Sequence, residues 1–245
     1  MFRRRHKARD DEPEEIEDLG EDIDDEYADE EDVAEESDRP AAPAGTGPWD
    51  AGEDVPEMER VDLGGMLIPL NENIEVQINT VDDQIVAATV LHRNTSAMQV
   101  QAFAAPKSSG LWRDVRREIM AELREAGGTA EEADGPFGPE LRASVPMQDN
   151  KGKAAGTQPV RFVGVDGPRW FLRAVFSGAA ATEASGAEPL EAVLADLVVV
   201  RGDSPLPPRD LLELRLPRDA QQALEEQGGS TINPFERGPE ITEVR

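Results

Sequence analysis

The chain has 245 residues, 52 of them Asp or Glu and 25 Lys or Arg, which gives a formal net charge of −27. That balance argues against broad binding to nucleic acid or to anionic membrane, both of which need a cationic surface. With no cysteine there is no disulfide, no thiolate zinc site and no thiol nucleophile.

The charge is segregated. Residues 1–9 form a basic tip with Arg3, Arg4, Arg5, Lys7 and Arg9. Residues 10–38 form a ribbon of nineteen acidic residues without a Lys or Arg, and once both are set aside residues 39–245 carry −13. The tip resembles the start of a signal peptide, but Asp10-Asp11-Glu12 follows in place of an apolar run. No export signal is expected, therefore, and the expected compartment is the cytoplasm. Apolar runs such as 197–200 fall far short of the roughly 20 residues that span a bilayer, so no membrane association is expected.

The ribbon cannot bury enough apolar surface to offset its chain entropy, and its charges repel one another. Residues 1–57 are expected to be a disordered tail: the tip, the ribbon, and a linker over 39–57 with Pro40, Pro43, Pro48, Gly45 and Gly47. The tip is able to fold back on the ribbon and mask it. Order is expected from residue 58 to residue 227, with 228–245 a second tail.

Four short β-like runs come first, at 61–70, 74–80, 84–92 and 97–103, with turn residues at 71–73, 82–83 and 94–95. They predict an antiparallel meander. The period then changes. Leu111, Val115, Ile119 and Leu123 make a helical stripe beside Trp112 and Met120, with Ser108 or Ser109 as the expected cap and Gly127-Gly128 as the stop. Alternation of Leu141, Ala143 and Val145 predicts a strand over 140–145, and the polar stretch 147–157 reads as a loop. Runs at 160–165 and 170–176 flank Asp166-Gly167-Pro168 and predict a hairpin. Residues 189–194 read as a short helix opened by Pro189. A buried strand at 197–201, an extended segment at 211–216 and a terminal helix at 218–227 complete the pattern. Strands cluster rather than alternate with helices, which predicts an α+β domain. Its sheet should be mostly antiparallel, with some parallel pairing near the second helix, packed by two or three helices.

The chemistry is sparse. His6 and His92 are the only histidines, no metal-ligand spacing or phosphate-binding loop is present, and Gly-x-Ser-x-Gly is absent. No catalytic residue, metal or cofactor is assigned. Two constellations remain. Lys107 and Ser109 lead into Arg113, Arg116 and Arg117 in the first half of the helix, while Glu118, Glu122 and Glu125 lie in the second half. That order opposes the helix dipole by about 0.3–1 kcal/mol per charge, and such local conflict sometimes marks a site. These residues are a candidate anion site. The alternative is that the arginines pair with carboxylates or lie over Trp112.

The second constellation is the hairpin. A two-residue turn at 166–167 sets Phe162 opposite Phe171 and Val163 opposite Trp170. One face then holds Val163, Val165, Trp170, Leu172, Ala174 and Phe176, with Arg161 its lone charge. The other carries Phe162, Arg169, Phe171 and Arg173, a candidate stacking surface for bases or peptide groups. The alternative is a second buried face beneath the helix, with arginines at its edge.

Met66-Leu-Ile-Pro-Leu70, Gly167-Pro-Arg-Trp-Phe-Leu-Arg173 and Val198-Val-Val-Arg-Gly202 with Pro205-Leu-Pro-Pro208 resemble an uncharacterised actinobacterial domain-of-unknown-function family, the one numbered 3710. The resemblance runs from about residue 58 to 217 and implies a cytoplasmic bacterial protein, with no reaction or ligand attached. The expected function is a non-enzymatic interaction or adaptor module whose acidic tail tunes contacts with a protein partner, a basic one suiting it best. The alternative is a small-ligand, nucleotide or phosphate-binding protein using 107–117. A nucleic-acid module on the Phe162/Phe171 face is the least favoured.

Overall fold

The computed structural model describes residues 47–217, apart from residues 83, 108, 109, 149–151 and 153. The expected tail through residue 46, the Ser108 or Ser109 cap, the helix at 218–227 and the second tail lie outside the described residues. The domain is α+β. Its main sheet has seven strands in the order β4-β5-β6-β10-β9-β8-β7, every neighbouring pair antiparallel. These are β4 Ile74–Val81, β5 Gln84–His92, β6 Ser96–Ala104, β7 Thr129–Gly135, β8 Gly138–Gln148, β9 Ala154–Gly167 and β10 Trp170–Gly178. A smaller sheet joins β1 Trp49–Asp50, β11 Val198–Val199, β3 Met66–Pro69 and β2 Arg60–Asp62 in that order.

Burial follows from the pleat. Along β6 every second residue is buried, from Ser96 through Met98, Val100 and Ala102 to Ala104. These side chains face a core shared with Trp170, Leu172, Ala174 and Phe176 of β10 and with Met66, Ile68 and Val199 of the small sheet. Two helices close this side, α2 Ala179–Thr182 and α3 Ala184–Asp196, through Ala180, Leu190, Val193 and Leu194. The opposite face carries a second cluster, where α1 Trp112–Glu125 lays Trp112, Ile119 and Leu123 over Leu141, Ala143 and Phe171. Trp170, Phe171 and Leu172 are therefore all buried in succession, since both faces of β10 are covered there.

Several expectations change. Among the described residues, strand structure is already present at β1, ahead of residue 58, because Trp49 and Asp50 pair in parallel with Val198 and Val199. The sheet is thus mixed near the second helix, though the parallel partner of β11 is the first strand and not the strand that precedes that helix. The run at 61–70 is two strands, broken where Gly64 takes φ +80 and Leu63 donates to the Met66 carbonyl at 2.9 Å. Strand β7 was not expected. The loop assigned to 147–157 is largely strand, since β8 and β9 stay paired out to Gln148 and Ala154. The helix opened by Pro189 starts five residues earlier, at Ala184, where Gly186 lets it press against Ala179. The hairpin turn sits at Pro168-Arg169. Proline fixes the first φ and Arg169 takes φ +66. Phe162 thus faces Val175, and Phe171 faces Asp166. The register slips by four residues, an even number, so each side chain keeps its expected face.

Candidate functional site

The start of α1 is the first candidate. The stripe Leu111, Ile119 and Leu123 is buried in the second cluster, with Val115 and Met120 packed against it. Two amides at the helix start are already engaged. Asp166, at the end of β9, accepts the Leu111 N–H at 2.7 Å and the Trp112 N–H at 3.2 Å. An aspartate 55 residues away thus caps the helix, and its charge suits the positive end of the dipole. Gly110 permits the approach, since a Cβ there would lie 2.3 Å from Asp166 Oδ2.

The arginines of this segment do not converge. Arg113 and Arg117 each lie 3.7 Å from Asp114 on the exposed side of the helix. Exposed pairs of this kind contribute about 0–1 kcal/mol. Lys107 is exposed, and Ser109 lies outside the described residues. Arg116 turns inward. Its side chain is 6% exposed, its Nε lies 3.4 Å from Glu132 of β7, and its guanidinium sits 5.6 Å from the centre of the Trp112 ring.

From Arg116 a continuous stack crosses the helix–sheet interface. Trp112 lies on Phe171 with centroids 6.0 Å apart, Phe171 on Phe103 at 5.8 Å, and the Arg173 guanidinium lies 5.6 Å from the Phe103 ring. The indole of Trp112 donates to the Pro139 carbonyl at 2.6 Å and lies over Gly164, where a Cβ would be 2.2 Å from the ring. Arg173 donates to Gln101. Burial pushes the Arg173 pKa down, and the Glu122 carboxylate on α1 partly offsets the shift. Cation–π contacts contribute about 0.5–2 kcal/mol and aromatic pairs about 0.5–1.5 kcal/mol, so this stack is a substantial clamp for α1.

The residues expected as an open stacking face are distributed accordingly. Phe171 is 2% exposed and Phe162 packs at the edge of the second cluster, which corrects the surface reading. The face is covered by α1, and Arg173 closes its edge. Arg169 is half-buried at the hairpin turn, where its carbonyl accepts the Ala105 N–H at 2.9 Å.

A buried ion cluster had not been expected. Glu140 of β8, 1% exposed, lies 3.6 Å from Arg161 Nε and 3.2 Å from Arg142 Nε. Arg161 also donates to Glu191 of α3 and stacks 4.4 Å over the Phe176 ring. Gly135 packs against Glu140, where a Cβ would come within 2.1 Å of Oε2, so the carboxylate is enclosed by backbone. The signal for it was Arg161, a lone charge on an apolar face. The sequence offered no sign of Glu191 as its partner, nor of Asp166 as a cap.

One groove opens on the outer face of the small sheet. It has a volume of about 570 Å³ and lies beneath the exposed strap 51–58, over Leu67 and Val198. Glu53, Asp54 and Glu57 stand on its rim and Val55, Pro56 and Met58 beside them. Arg60 fixes the strap from within, donating to the Pro56 and Asp196 carbonyls at 3.0 Å each. Among the described residues no group of three His, Cys, Asp or Glu is placed to hold a metal ion.

Residues 47–223 match the family model described as "Protein of unknown function (DUF3710)". No curated protein matches the chain. Two solved structures share a distant likeness. A crystal structure from Bacteroides thetaiotaomicron VPI-5482 is 12% identical, with a TM-score of 0.37 over 69% of this chain and 58% of its own length. The solution structure of cyanobacterial PsbP (CyanoP) from Synechocystis sp. PCC 6803 is 13% identical, with a TM-score of 0.35 over 62% of this chain and 99% of its own. The chain thus spans under two thirds of the first of these, and neither likeness carries an argument about fold or activity.

Proposed function

The chain belongs to the family of unknown function DUF3710, and on that footing we propose that it is a non-enzymatic interaction module for basic protein segments. The observation that supports this is the placement of charge in the folded domain. Arg116, Arg161 and Arg173 are drawn into the interior, Arg113 and Arg117 share Asp114, and Arg209 pairs with Glu118 at 2.8 Å. Carboxylates such as Glu53, Asp54 and Glu57 remain outward. An acidic surface favours encounter with cationic partners and discriminates against acidic ones. The sequence ribbon at 10–38 adds to that bias, within a screening length of about 10 Å at ordinary salt.

Binding of an anion at residues 107–117 has to contend with Asp166, whose carboxylate already holds the Leu111 and Trp112 amides. A cytoplasmic setting belongs to the same proposal. It agrees with the cysteine-free composition, and among the described residues no helix is long and apolar enough to cross a membrane. An actinobacterial source is part of the proposal: the resemblance of the three sequence segments implies it, and the Ala-, Gly-, Asp-, Glu- and Arg-rich composition agrees with it.

The test is fluorescence anisotropy with two labelled peptides of equal length and apolar content, one lysine-rich and one glutamate-rich. The full chain should bind the first, with affinity falling as salt rises, and ignore the second. Equal affinities, or no binding of the cationic peptide at low salt, would sink the proposal.

A further inference from the structure

We infer that the groove beneath strap 51–58 is the docking site for an extended cationic segment of another protein, anchored by one apolar side chain; this rests on the interaction reading above. Leu67 and Val198 belong to strands whose neighbours Met66, Ile68 and Val199 face the main core, so these two side chains point to the outer face of the small sheet. The strap is the element that covers them, and it leaves a space of about 570 Å³. That volume takes a few side chains of a docked segment. Met58 at its mouth is 40% exposed, and Leu70, whose N–H donates to the Glu59 carbonyl, is 39% exposed beside it. Leu67, Val198 and Met58 thus give the groove an apolar side.

The fully exposed charge around this floor is acidic. Glu53, Asp54 and Glu57 line it and Glu59 follows on the strap, all exposed. Arg60, the cation that lines it, is turned onto the Pro56 and Asp196 carbonyls. An occupant with flanking Lys or Arg gains from these carboxylates, whereas an acidic or uncharged one does not. The complementary ligand is thus a basic segment with a Leu- or Met-like anchor, whereas a phosphate ligand meets three exposed carboxylates there and one half-buried arginine.

The cysteine-free chain allows a direct reading. A single cysteine at Met58→Cys, carrying an environment-sensitive fluorophore, reports occupancy of the groove. The same label at Met147→Cys, on β8 and 44% exposed, serves as the control. The probe is a lysine-rich peptide with one central leucine, compared with the same peptide bearing serine in its place. Both labelled proteins are full-length. The leucine peptide should shift the label at 58 and leave that at 147 unchanged, and the serine peptide should shift neither. Reversal of the rim, Glu53→Lys with Asp54→Lys and Glu57→Lys, should weaken the response about tenfold or more. Because the strap is exposed, circular dichroism of that variant should match the parent. A benzophenone-bearing copy of the peptide should cross-link to residues 51–60. If the peptide binds by anisotropy while the label at 58 stays silent and cross-links fall elsewhere, the groove is wrong and the broader interaction reading survives. If the labels at 58 and 147 respond alike, the groove is also wrong. If no cationic peptide binds at all, both readings fall.

Discussion

Replacing Arg161 with Met should destabilise the domain by about 3 kcal/mol. The guanidinium is the central member of the buried cluster, 8% exposed, shared between Glu140 at 3.6 Å and Glu191. Methionine preserves most of the apolar stem and its packing on Phe176, so lost volume is a small part of the change. The large part is electrostatic. Glu140, 1% exposed, keeps Arg142 at 3.2 Å on its other oxygen. Breaking a buried pair by removing one partner costs about 3–5 kcal/mol. The surviving Arg142 contact places this case at the lower end. For a domain of this size the melting temperature should fall by about 6–12 °C, at roughly 2–4 °C per kcal/mol. Urea denaturation followed by circular dichroism measures the loss at constant slope. The double variant Arg161→Met with Glu140→Met should recover part of it, since no buried carboxylate is then stranded and Arg142, which loses Glu140, is 56% exposed to solvent. A loss below about 1 kcal/mol for Arg161→Met alone would show that the pair contributes no more than an exposed one and would refute the reasoning.

Three further outcomes follow from the same contacts. Gly164→Ala places a methyl 2.2 Å from the Trp112 ring and should cost about 2–3 kcal/mol by lifting α1 off the sheet, visible as a red shift and loss of tryptophan near-ultraviolet dichroism. Asp166→Ala removes the acceptor for the Leu111 and Trp112 amides and should cost about 1–2 kcal/mol in a urea titration, with Asp166→Asn closer to the parent. The Arg215 guanidinium holds the Glu213 carboxyl below the ordinary carboxylate range, chiefly through their hydrogen bond. Because the folded value is the depressed one, this pair supports the segment above the ordinary range and the support fades as pH falls through the folded value. Carboxyl chemical shifts of Glu213 should titrate low in the parent and return to the ordinary range in Arg215→Ala.

What the sequence made legible was whatever faces a core. Residues 84–92 were placed at their observed bounds, and β6 and β10 within a residue or two, because alternation records burial on one face. The far parts of β8 and β9 run past the core with residues 155–159 exposed, so nothing in their side chains alternates and the stretch read as a loop. Strand β7 is a sheet edge with Glu131, Glu132 and Asp134, a composition that discourages further pairing and carries little β signal. The hairpin register failed for a local reason: Asp-Gly is a strong turn signal, but Asp166 is committed to capping α1, and the turn moved to Pro168-Arg169, where proline sets the first φ.

The placement of arginines in the first half of α1, against the helix dipole, is resolved by tertiary contacts rather than by a bound anion. Arg116 stands one turn after Trp112, the spacing at which a helix superposes two side chains, and that brings its guanidinium over the indole and its Nε toward Glu132. The dipole penalty of about 0.3–1 kcal/mol per charge is smaller than a desolvated cation–π contact combined with an ion pair. Asp166 supplies the negative charge that the helix start lacks from its own first turn beyond Asp114. A conflict visible along one helix thus disappears once β7, β9 and β10 are packed beside it. On the acidic strap over Leu67 and Val198, Glu53 accepts the Asp50 N–H at 3.0 Å, while Asp54 and Glu57 face outward, and for that reason it, rather than α1, is where a partner is to be sought.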